Sequence, residues 1–199
     1  CCVSDLDCAS DGNPCTIEQC VDNICVYEPV EPCMMPLPYV QNFNLCPDLQ
    51  ELGYDFVNLG VPATDNWKCS TGGALGPDGH ERFDWIPQVA SFDSFLVTPA
   101  FEADPETIGY DFVTVQYDQE YSHYIGNVQL GLYVIQDLQE PYSTIDASDV
   151  FWPLSVGYYD TSLDAASVQH IVPSVFLSDE LYLGFEVAGD SSYNLNYFD

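Results

Sequence analysis

Three histidines are the first side chains to weigh for chemistry, since histidine is the most frequent general base in enzymes. They stand on separate segments, at positions 80, 123 and 170. His80 lies in a turn-rich stretch, GPDGHERFDW, which is typical of a charged surface loop, and His170 is predicted to be a hydrogen-bonded strand residue. No GxSxG, HExxH, P-loop or GxGxxG motif accompanies them. The sequence therefore predicts a protein that is not an enzyme.

Carboxylates and aromatic rings are the next candidates, because both take part in carbohydrate chemistry. With 32 Asp and Glu, the sequence does not single out the pair, roughly 5–10 Å apart, that glycoside hydrolysis needs. Trp85, Trp152 and the neighbouring Tyr158 and Tyr159 offer rings on which a sugar stacks, whereas most aromatics in strands belong to the core. We take Trp85, Trp152 and Tyr158 as the ligand-binding candidates.

Nine cysteines are distributed unevenly along the chain, and they indicate both its organisation and its cellular compartment. Seven fall within the first 33 residues, among Asp, Asn, Gly and Pro, in a segment too small for a hydrophobic core. This density favours a disulfide framework, and hence a location outside the cytosol. The alternative, a zinc site, is disfavoured because no CxxC pair occurs and the histidines lie far downstream. The connectivity of the bridges stays open at this point.

The same Cys-rich segment contains a partial calcium-loop pattern. Asp7, Asp11, Gly12 and Glu18 match positions 1, 5, 6 and 12 of an EF-hand loop. Position 3 is Ala9, however, so one ligand is missing, and no helix is predicted to flank the loop. The pattern favours an acidic disulfide loop, with Asp7, Asp11 and Glu18 kept as the weaker metal alternative.

The charge balance excludes several partners. Only Lys68 and Arg82 oppose the 32 acids, so the formal net charge is −30. A chain with almost no cations cannot neutralise phosphates, which excludes nucleic acid and electrostatic docking on anionic lipid. No apolar run reaches the roughly 18 residues of a membrane span. Divalent cations or a saline setting would offset the self-repulsion, and we expect a mature, processed extracellular chain.

Strand patterns then predict the elements that position these residues. Alternating apolar residues are clearest at 127–136, with Val128, Leu130, Leu132 and Val134 on one face, and at 180–187. Further strands are predicted at 37–43, 94–98, 107–117, 149–156, 168–176 and 193–198. Many short strands with polar turns predict an all-β fold, an antiparallel β-sandwich or jelly roll. We divide the chain into a Cys-rich module with a Pro-rich connector at 1–35 and a jelly roll at 36–199.

Two segments carry resemblances to known families. The run DCASDGNPCTIEQCVDNICVYEP, at 7–29, resembles a short Cys-rich repeat of large secreted and cell-surface proteins. The chain from 36 to 199 resembles the jelly-roll domain of the cleaved-adhesin, anchor-associated and MAM-like group. The motifs are the opening LPYVQNFN, Trp67, the stretch FDSFLVTPAF at 92–101, and the closing LYLGFEVAGDSSYNLNYFD. Phe95 replaces the Trp that is usual in this group.

The second resemblance implies a structural calcium ion. By position, it points to Asn42 or Asn44, Asp93 and Asp199 as ligands, and calcium does accept carboxylate and amide oxygens. The alternative is that these residues cap turns and strand ends through their own backbone. Calcium is the one cofactor we predict.

The same resemblance also implies a disulfide between Cys46 and Cys69, because a bridge closes a similar stretch in the MAM-like group. Seven cysteines then remain in the first 33 residues, so Cys2, Cys8, Cys15, Cys20, Cys25 and Cys33 are predicted to pair among themselves. The odd one is assigned to Cys1, which would join another chain, carry lipid or pair with residues upstream.

We therefore expect an extracellular, non-enzymatic structural or adhesive protein, a candidate subunit of a cell-surface filament stabilised by calcium and disulfides. Its expected partners are copies of itself or other surface proteins, together with glycans. The alternative function is that of a carbohydrate-binding module in a secreted protein.

Overall fold

Strands account for most of the chain that the structure describes. This structure, a computed structural model, describes residues 2–10, 16–29, 34–41, 43, 48–59, 66–70, 79–84, 88–136, 151–190 and 195–198. In chain order the strands are β1 (Thr16–Val21), β2 (Ile24–Pro29), β3 (Met34–Pro36), β4 (Asp55–Asn58), β5 (Trp67–Ser70), β6 (His80–Phe83), β7 (Phe92–Val97), β8 (Ala100–Glu102), β9 (Phe112–Ser122), β10 (Val128–Ile135), β11 (Phe151–Tyr159), β12 (Leu163–Pro173), β13 (Tyr182–Gly189) and β14 (Leu195–Phe198). A short helix, α1, spans Pro105–Ile108, and 3-10 turns occupy Asp5–Asp7 and Ser174–Phe176.

The N-terminal segment is an antiparallel hairpin of β1 and β2 held by two disulfides. Asp22 and Asn23 form its two-residue turn with φ values of 52° and 63°, the left-handed conformation that such hairpins require. Bridges join Cys2 to Cys20 and Cys8 to Cys25. Each closes a loop that costs the unfolded chain about 3 kcal/mol of conformational entropy in the chain-entropy model. The predicted small disulfide-rich module is confirmed.

Two antiparallel five-stranded sheets form most of the rest of the fold. The first sheet has the strand order β11-β10-β13-β7-β4, and the second sheet has the order β12-β9-β14-β6-β5. Every pairing within these two sheets is antiparallel. The predicted all-β antiparallel sandwich is confirmed.

The main core lies between the sheets and follows the period-two pattern of the sequence. In β10 the side chains of Val128, Leu130, Leu132 and Val134 are all buried, as their alternation predicts. They pack with buried residues of the second sheet and of β7, including Trp67, Phe83, Phe92, Leu96, Tyr121 and Val172. The hydrophobic effect on these two facing surfaces holds the sheets together.

A smaller apolar cluster covers part of the outer face of the first sheet. It consists of Val57, Phe95, Val97, Ile135 and Phe151, each no more than 5% exposed. Central strands of this sheet are therefore apolar on both faces at one end. The other end of the same outer face carries polar side chains, described below.

The structure corrects the strand assignment in several places. The described part of the predicted strand 37–43 is irregular, while β4, β5 and β6 are strands that the pattern missed. The predicted strand 107–117 begins later, because Asp104 caps α1 through the Glu106 amide and Gly109 ends it at φ 72°. His80 lies on β6 and is 1% exposed, so the prediction of a surface loop there is wrong.

The Pro-rich connector also contributes to the packing. Its end forms β3, which pairs in parallel with β8 through Met34 and Ala100, Met35 and Phe101, and Pro36 and Glu102. Met35 is 1% exposed and packs with Phe101 and Leu181. This strand spans the predicted boundary between the two units at residue 35.

Candidate functional site

Four polar side chains converge on the outer face of the first sheet. We call Asp93, Gln129, Tyr133 and Glu186 the polar cluster. Gln129 donates to Glu186 Oε2 at 2.6 Å, and the Tyr133 hydroxyl donates to the same oxygen at 2.9 Å. Gln129 also reaches the Tyr133 hydroxyl at 3.3 Å. The carboxyl of Asp93 lies beside that of Glu186 and each affects the pKa of the other, so the two acids form a pair.

Neighbouring strands of the first sheet bring the polar cluster together. Gly131 of β10 pairs with Glu186 of β13, and Ala188 of β13 pairs with Asp93 of β7. Residues two apart along a strand share a face, so Gln129 and Tyr133 flank Glu186, and Asp93 lies diagonal to it. A Cβ at Gly131 would meet the Tyr133 ring and would lie 2.7 Å from Glu186 Oε2. Glycine therefore makes room for the two side chains to lean over the strand.

Burial changes the protonation of the acid pair. Glu186 is 4% exposed, and this burial raises its pKa to about 7, against the hydrogen bonds from Gln129 and Tyr133. Burial likewise raises the pKa of Asp93. Two carboxyls in contact in a poorly hydrated site do not both ionise readily, and a shared proton relieves their repulsion.

Exposed side chains border the polar cluster on the edge strand. Tyr158 of β11 lies opposite Gln129 and is 75% exposed, and Val156 lies opposite Gly131. The ring of Tyr158 thus stands on the same face as the amide of Gln129 and the hydroxyl of Tyr133. An exposed ring beside fixed donors and acceptors is a combination that suits a polyhydroxylated ligand.

The aromatic residues predicted to bind ligand do not form one surface. Trp152 pairs with Val134, which faces the core, so it lies on the face of β11 opposite to Tyr158. Trp152 is 48% exposed and packs against Phe176 at a ring distance of 6.0 Å. Trp85 lies outside the described residues. Of the two candidates that the structure describes, Tyr158 is the one beside the polar cluster.

The predicted calcium ligands are described only in part. Asp93 has one buried carboxylate oxygen, Oδ1, without a hydrogen-bond partner, an unsatisfied acceptor of the kind that a cation would use. Asn42, Asn44 and Asp199 lie outside the described residues. Asp93 therefore fits an oxygen-ligated cation, and its neighbour Glu186 adds a second carboxyl.

In the structure, Asp7 of the EF-hand-like pattern binds the backbone of its own segment. Asp7 accepts backbone hydrogen bonds from Val3 at 2.8 Å and from Ser4 at 2.9 Å, and these bonds lower its pKa. Its carboxylate caps a local turn in the disulfide-linked segment. Glu18 lies on β1 with Oε1 buried and unpartnered, and Asp11 is outside the described residues.

The described cysteines are all oxidised. Cys69 is in a disulfide, and its predicted partner Cys46 lies outside the described residues, as do Cys1, Cys15 and Cys33. The one cluster of three potential metal ligands in the described chain is Cys2, Cys8 and Cys25, and all three thiols are used in bridges. That cluster therefore offers no thiolate to zinc.

Between the sheets, a cleft of about 570 Å³ opens beside β9. We call it the inter-sheet cleft. Its lining is largely apolar and includes Leu96, Leu183 and Phe185 of the first sheet, together with Tyr39 and Phe101. Its volume is within the range of small-molecule sites. Of the candidates that the structure describes, neither Trp152 nor Tyr158 lines it.

Buried acids are not confined to the polar cluster. Glu81 shares the inner face of β6 with the core residue Phe83 and is 2% exposed. Burial raises its pKa to about 8, although the neighbouring Arg82 acts in the opposite direction. Arg82 itself pairs with Asp84 at 2.9 Å.

In the described chain, no helix is long and apolar enough to cross a membrane.

Three members of the polar cluster escaped the sequence analysis. Gln129 and Tyr133 lie on the face of the NVQLGLYVIQ strand opposite to the apolar face from which the strand was predicted. Along the chain, Glu186 lies between Phe185, which is partly buried, and Val187, which is fully buried. A carboxylate inside an otherwise apolar strand was the available signal, since such a group needs partners when buried.

Comparison with known proteins identifies the fold. No family model matches the chain, and no curated protein matches it. Among solved structures, the K1 cleaved adhesin domain of Lys-gingipain from Porphyromonas gingivalis W83 is similar, with 12% identity and a TM-score of 0.53 over 80% of this chain and 92% of that one. The K3 domain of the same protein gives 14% identity and a TM-score of 0.40, covering 74% and 96%.

A carbohydrate-binding module, Caldicellulosiruptor saccharolyticus CBM27-1 in complex with mannohexaose, gives 15% identity and a TM-score of 0.42, covering 73% and 94%. At these identities the likeness is one of fold. The predicted resemblance to the cleaved-adhesin sandwich is confirmed at that level by the K1 domain. The MAM-like resemblance and the Cys-rich repeat stay predictions.

Proposed function

We propose that this chain is an extracellular, non-enzymatic adhesive protein that binds neutral carbohydrate on the outer face of its first sheet. The observation that carries the proposal is the polar cluster beside Tyr158. Glu186, Gln129 and Tyr133 supply fixed acceptors and donors for sugar hydroxyls, and Tyr158 supplies a ring for the apolar face of a sugar. The bridges Cys2–Cys20 and Cys8–Cys25 support a location outside the cytosol.

The charge of the chain selects among glycans. At −30, the protein repels uronic and sialic acids. Neutral polysaccharides such as galactans, mannans and glucans carry no such penalty. Adhesion through this face would be independent of catalysis.

Retention on a panel of neutral and acidic polysaccharides tests the proposal. We expect retention on at least one neutral glycan, and a loss of roughly tenfold or more in affinity for Tyr158→Ala and for Gln129→Ala. Tyr110→Ala is the matched control, because Tyr110 is also exposed, at 68%, but lies outside the first sheet. Retention on none of the neutral glycans, or equal retention by all variants, would contradict the proposal.

Calcium is the second part of the proposal, supported by the unpartnered Oδ1 of Asp93 and the adjacent Glu186. Calcium that binds the native state alone stabilises it by about 2.7 kcal/mol at a hundredfold excess over Kd. We expect a chelator to lower the melting temperature by several degrees.

Asp93→Asn should abolish this chelator response, whereas Asp111→Asn, at an exposed position, should keep it. An identical wild-type melt with and without chelator at low ionic strength would remove calcium from the proposal. The filament role and the covalent link through Cys1 remain predictions, and Cys1 lies outside the described residues.

A further inference from the structure

A second opening between the sheets lies where their outermost strands approach each other. In the described strand order, β11 is outermost in the first sheet and β12 in the second sheet, and residues 160–162 join them directly. A pocket of about 180 Å³ lies there, lined from β9, β10, β11 and β12. We call it the edge pocket. All four strands lie within the continuously described ranges 88–136 and 151–190. The inter-sheet cleft is a different opening, although Tyr117 contributes to both.

Small side chains on the two outermost strands leave the edge pocket open. Ser155 of β11 pairs with the core-facing Leu132, and Ala166 of β12 pairs with the core-facing Gln119. Directly opposite residues share a face of their sheet, so both small side chains point between the sheets. Neither is large enough to close the gap, and Ala166 is exposed although it points inward.

Two buried polar groups line the edge pocket without protein partners. The Nε2 atom of His170 is buried and has no hydrogen-bond partner among the described residues, while its ring stacks on Tyr117 at 6.0 Å. Gln119 is 9% exposed, and its side-chain amide makes no hydrogen bond within the described chain. Buried polar groups without partners cost stability, so two of them beside one pocket indicate a ligand that supplies the partners.

The rest of the lining decides the charge of that ligand. Burial and the neighbouring Tyr159 raise the pKa of Tyr117 to about 12, so its phenol stays neutral. Asp164 adds an exposed carboxylate, and no Lys or Arg is among the described lining residues. With a net charge of −30, the protein repels anions and concentrates small cations. Asp164 and His170 are six positions apart on β12, so they mark different ends of the edge pocket.

We propose that the edge pocket binds a linear aliphatic diamine, an alkyl chain with an ammonium group at each end. An ammonium group has three donors, and here it donates to Nε2 of His170, with the imidazole proton on Nδ1, and to Oε1 of Gln119. The alkyl chain packs on Leu130 and Leu132 of the lining. The second ammonium pairs with Asp164. The edge pocket lies on the inner face of the first sheet and is separate from the polar cluster on the outer face.

Three ligands of equal chain length test the proposal on the full chain. They are the terminal diamine, diol and dicarboxylate of octane, titrated by calorimetry at an ionic strength of about 0.15 M. We expect a Kd of about 1 mM or lower for the diamine and at least roughly tenfold weaker binding of the diol, because a charge-assisted hydrogen bond is stronger than a neutral one. The dicarboxylate should not bind.

A matched pair of variants separates the edge pocket from the general attraction of cations to an acidic protein. Ala166→Leu fills the pocket and should weaken diamine binding at least roughly tenfold. Ala165→Leu makes the same change at the neighbouring exposed residue, which does not line the pocket, and should bind as the wild type does. Both variants carry the wild-type charge, so a difference between them reports the pocket alone.

Two further variants remove the proposed acceptors. Gln119→Leu and His170→Phe should each weaken diamine binding several-fold, and both should keep the wild-type melting temperature or raise it, since each removes a buried polar group without a partner. Glycan retention should be unaltered in both, which distinguishes this site from the carbohydrate site. Equal binding of diamine and diol, equal binding by the two alanine variants, or full binding by Gln119→Leu and His170→Phe would each overturn the proposal.

Discussion

The sandwich is expected to lose several kcal/mol of unfolding free energy as the pH rises from about 5 to about 8. Two buried carboxyls cause this loss: the pKa of Glu186 is raised to about 7 and that of Glu81 to about 8, both mainly by burial. A carboxyl in the unfolded chain titrates near 4.3. In the folded state it holds its proton to higher pH, so folding is favoured at low pH and this advantage is lost as the pH rises through the folded values.

The magnitude is on the order of 3 kcal/mol for each carboxyl, from about 1.4 kcal/mol per pKa unit. Above about pH 8 both groups are ionised in the folded and unfolded states, so the slope due to these groups ends there. Mutual repulsion among the other acids acts in the same direction and is reduced by salt.

Denaturant unfolding at the two pH values in the presence of a chelator, which keeps calcium from Glu186, measures this effect. Glu186→Gln and Glu81→Gln should each flatten the pH dependence, and the double variant should remove most of it. Glu180→Gln, at an exposed position, is the control and should leave the slope intact. A wild-type protein with equal stability at both pH values, or a double variant that keeps the full slope, would refute the assignment.

Trp67→Ala is expected to destabilise the sandwich by about 4 kcal/mol, the usual cost of removing a large aromatic from a packed core. Trp67 is 5% exposed and packs edge-on against Phe83 at a ring distance of 5.4 Å and face-on with Phe56 at 6.3 Å. Its indole N–H donates to Ser94 Oγ at 2.9 Å, which joins the two sheets. The substitution leaves a cavity and an unpartnered hydroxyl together.

The melting temperature should fall by roughly 10 °C or more. Trp152→Ala is the matched control, because the same substitution at a residue 48% exposed should cost well under half as much. Trp67→Phe separates the contribution of the hydrogen bond from that of apolar burial, since it retains most of the apolar area but loses the bond to Ser94. Comparable losses at positions 67 and 152 would show that Trp67 has no special place in the core.

Local sequence patterns were sufficient to predict the class of fold. The alternation in β10 predicted which four side chains are buried, because successive side chains of a strand point to opposite faces of the sheet. The density of cysteines in the first 33 residues predicted a disulfide module, since so short a segment buries little apolar surface. Both inferences use only neighbours along the chain, and the structure agrees with both.

Short strands were harder, and His80 illustrates the reason. The stretch around it contains Gly, Pro and charged residues, which are typical of a surface turn. In the structure, β5 and β14 pair with β6 on its two sides, and these distant partners bury His80 and Glu81 within a charged sequence. Four residues carry too little periodicity to predict a strand against such a composition.

The sequence by itself determined which side chains alternate, where disulfides concentrate and which partners the charge excludes. The tertiary structure alone decided that Asp93 lies beside Glu186 and that β5 and β14 flank β6, which buries His80 and Glu81. The physical reason is register. Period-two patterning assigns a residue to a face of its own strand, but the residue that it touches is chosen by which strands pair and by their offset, and these are set by contacts distant along the chain.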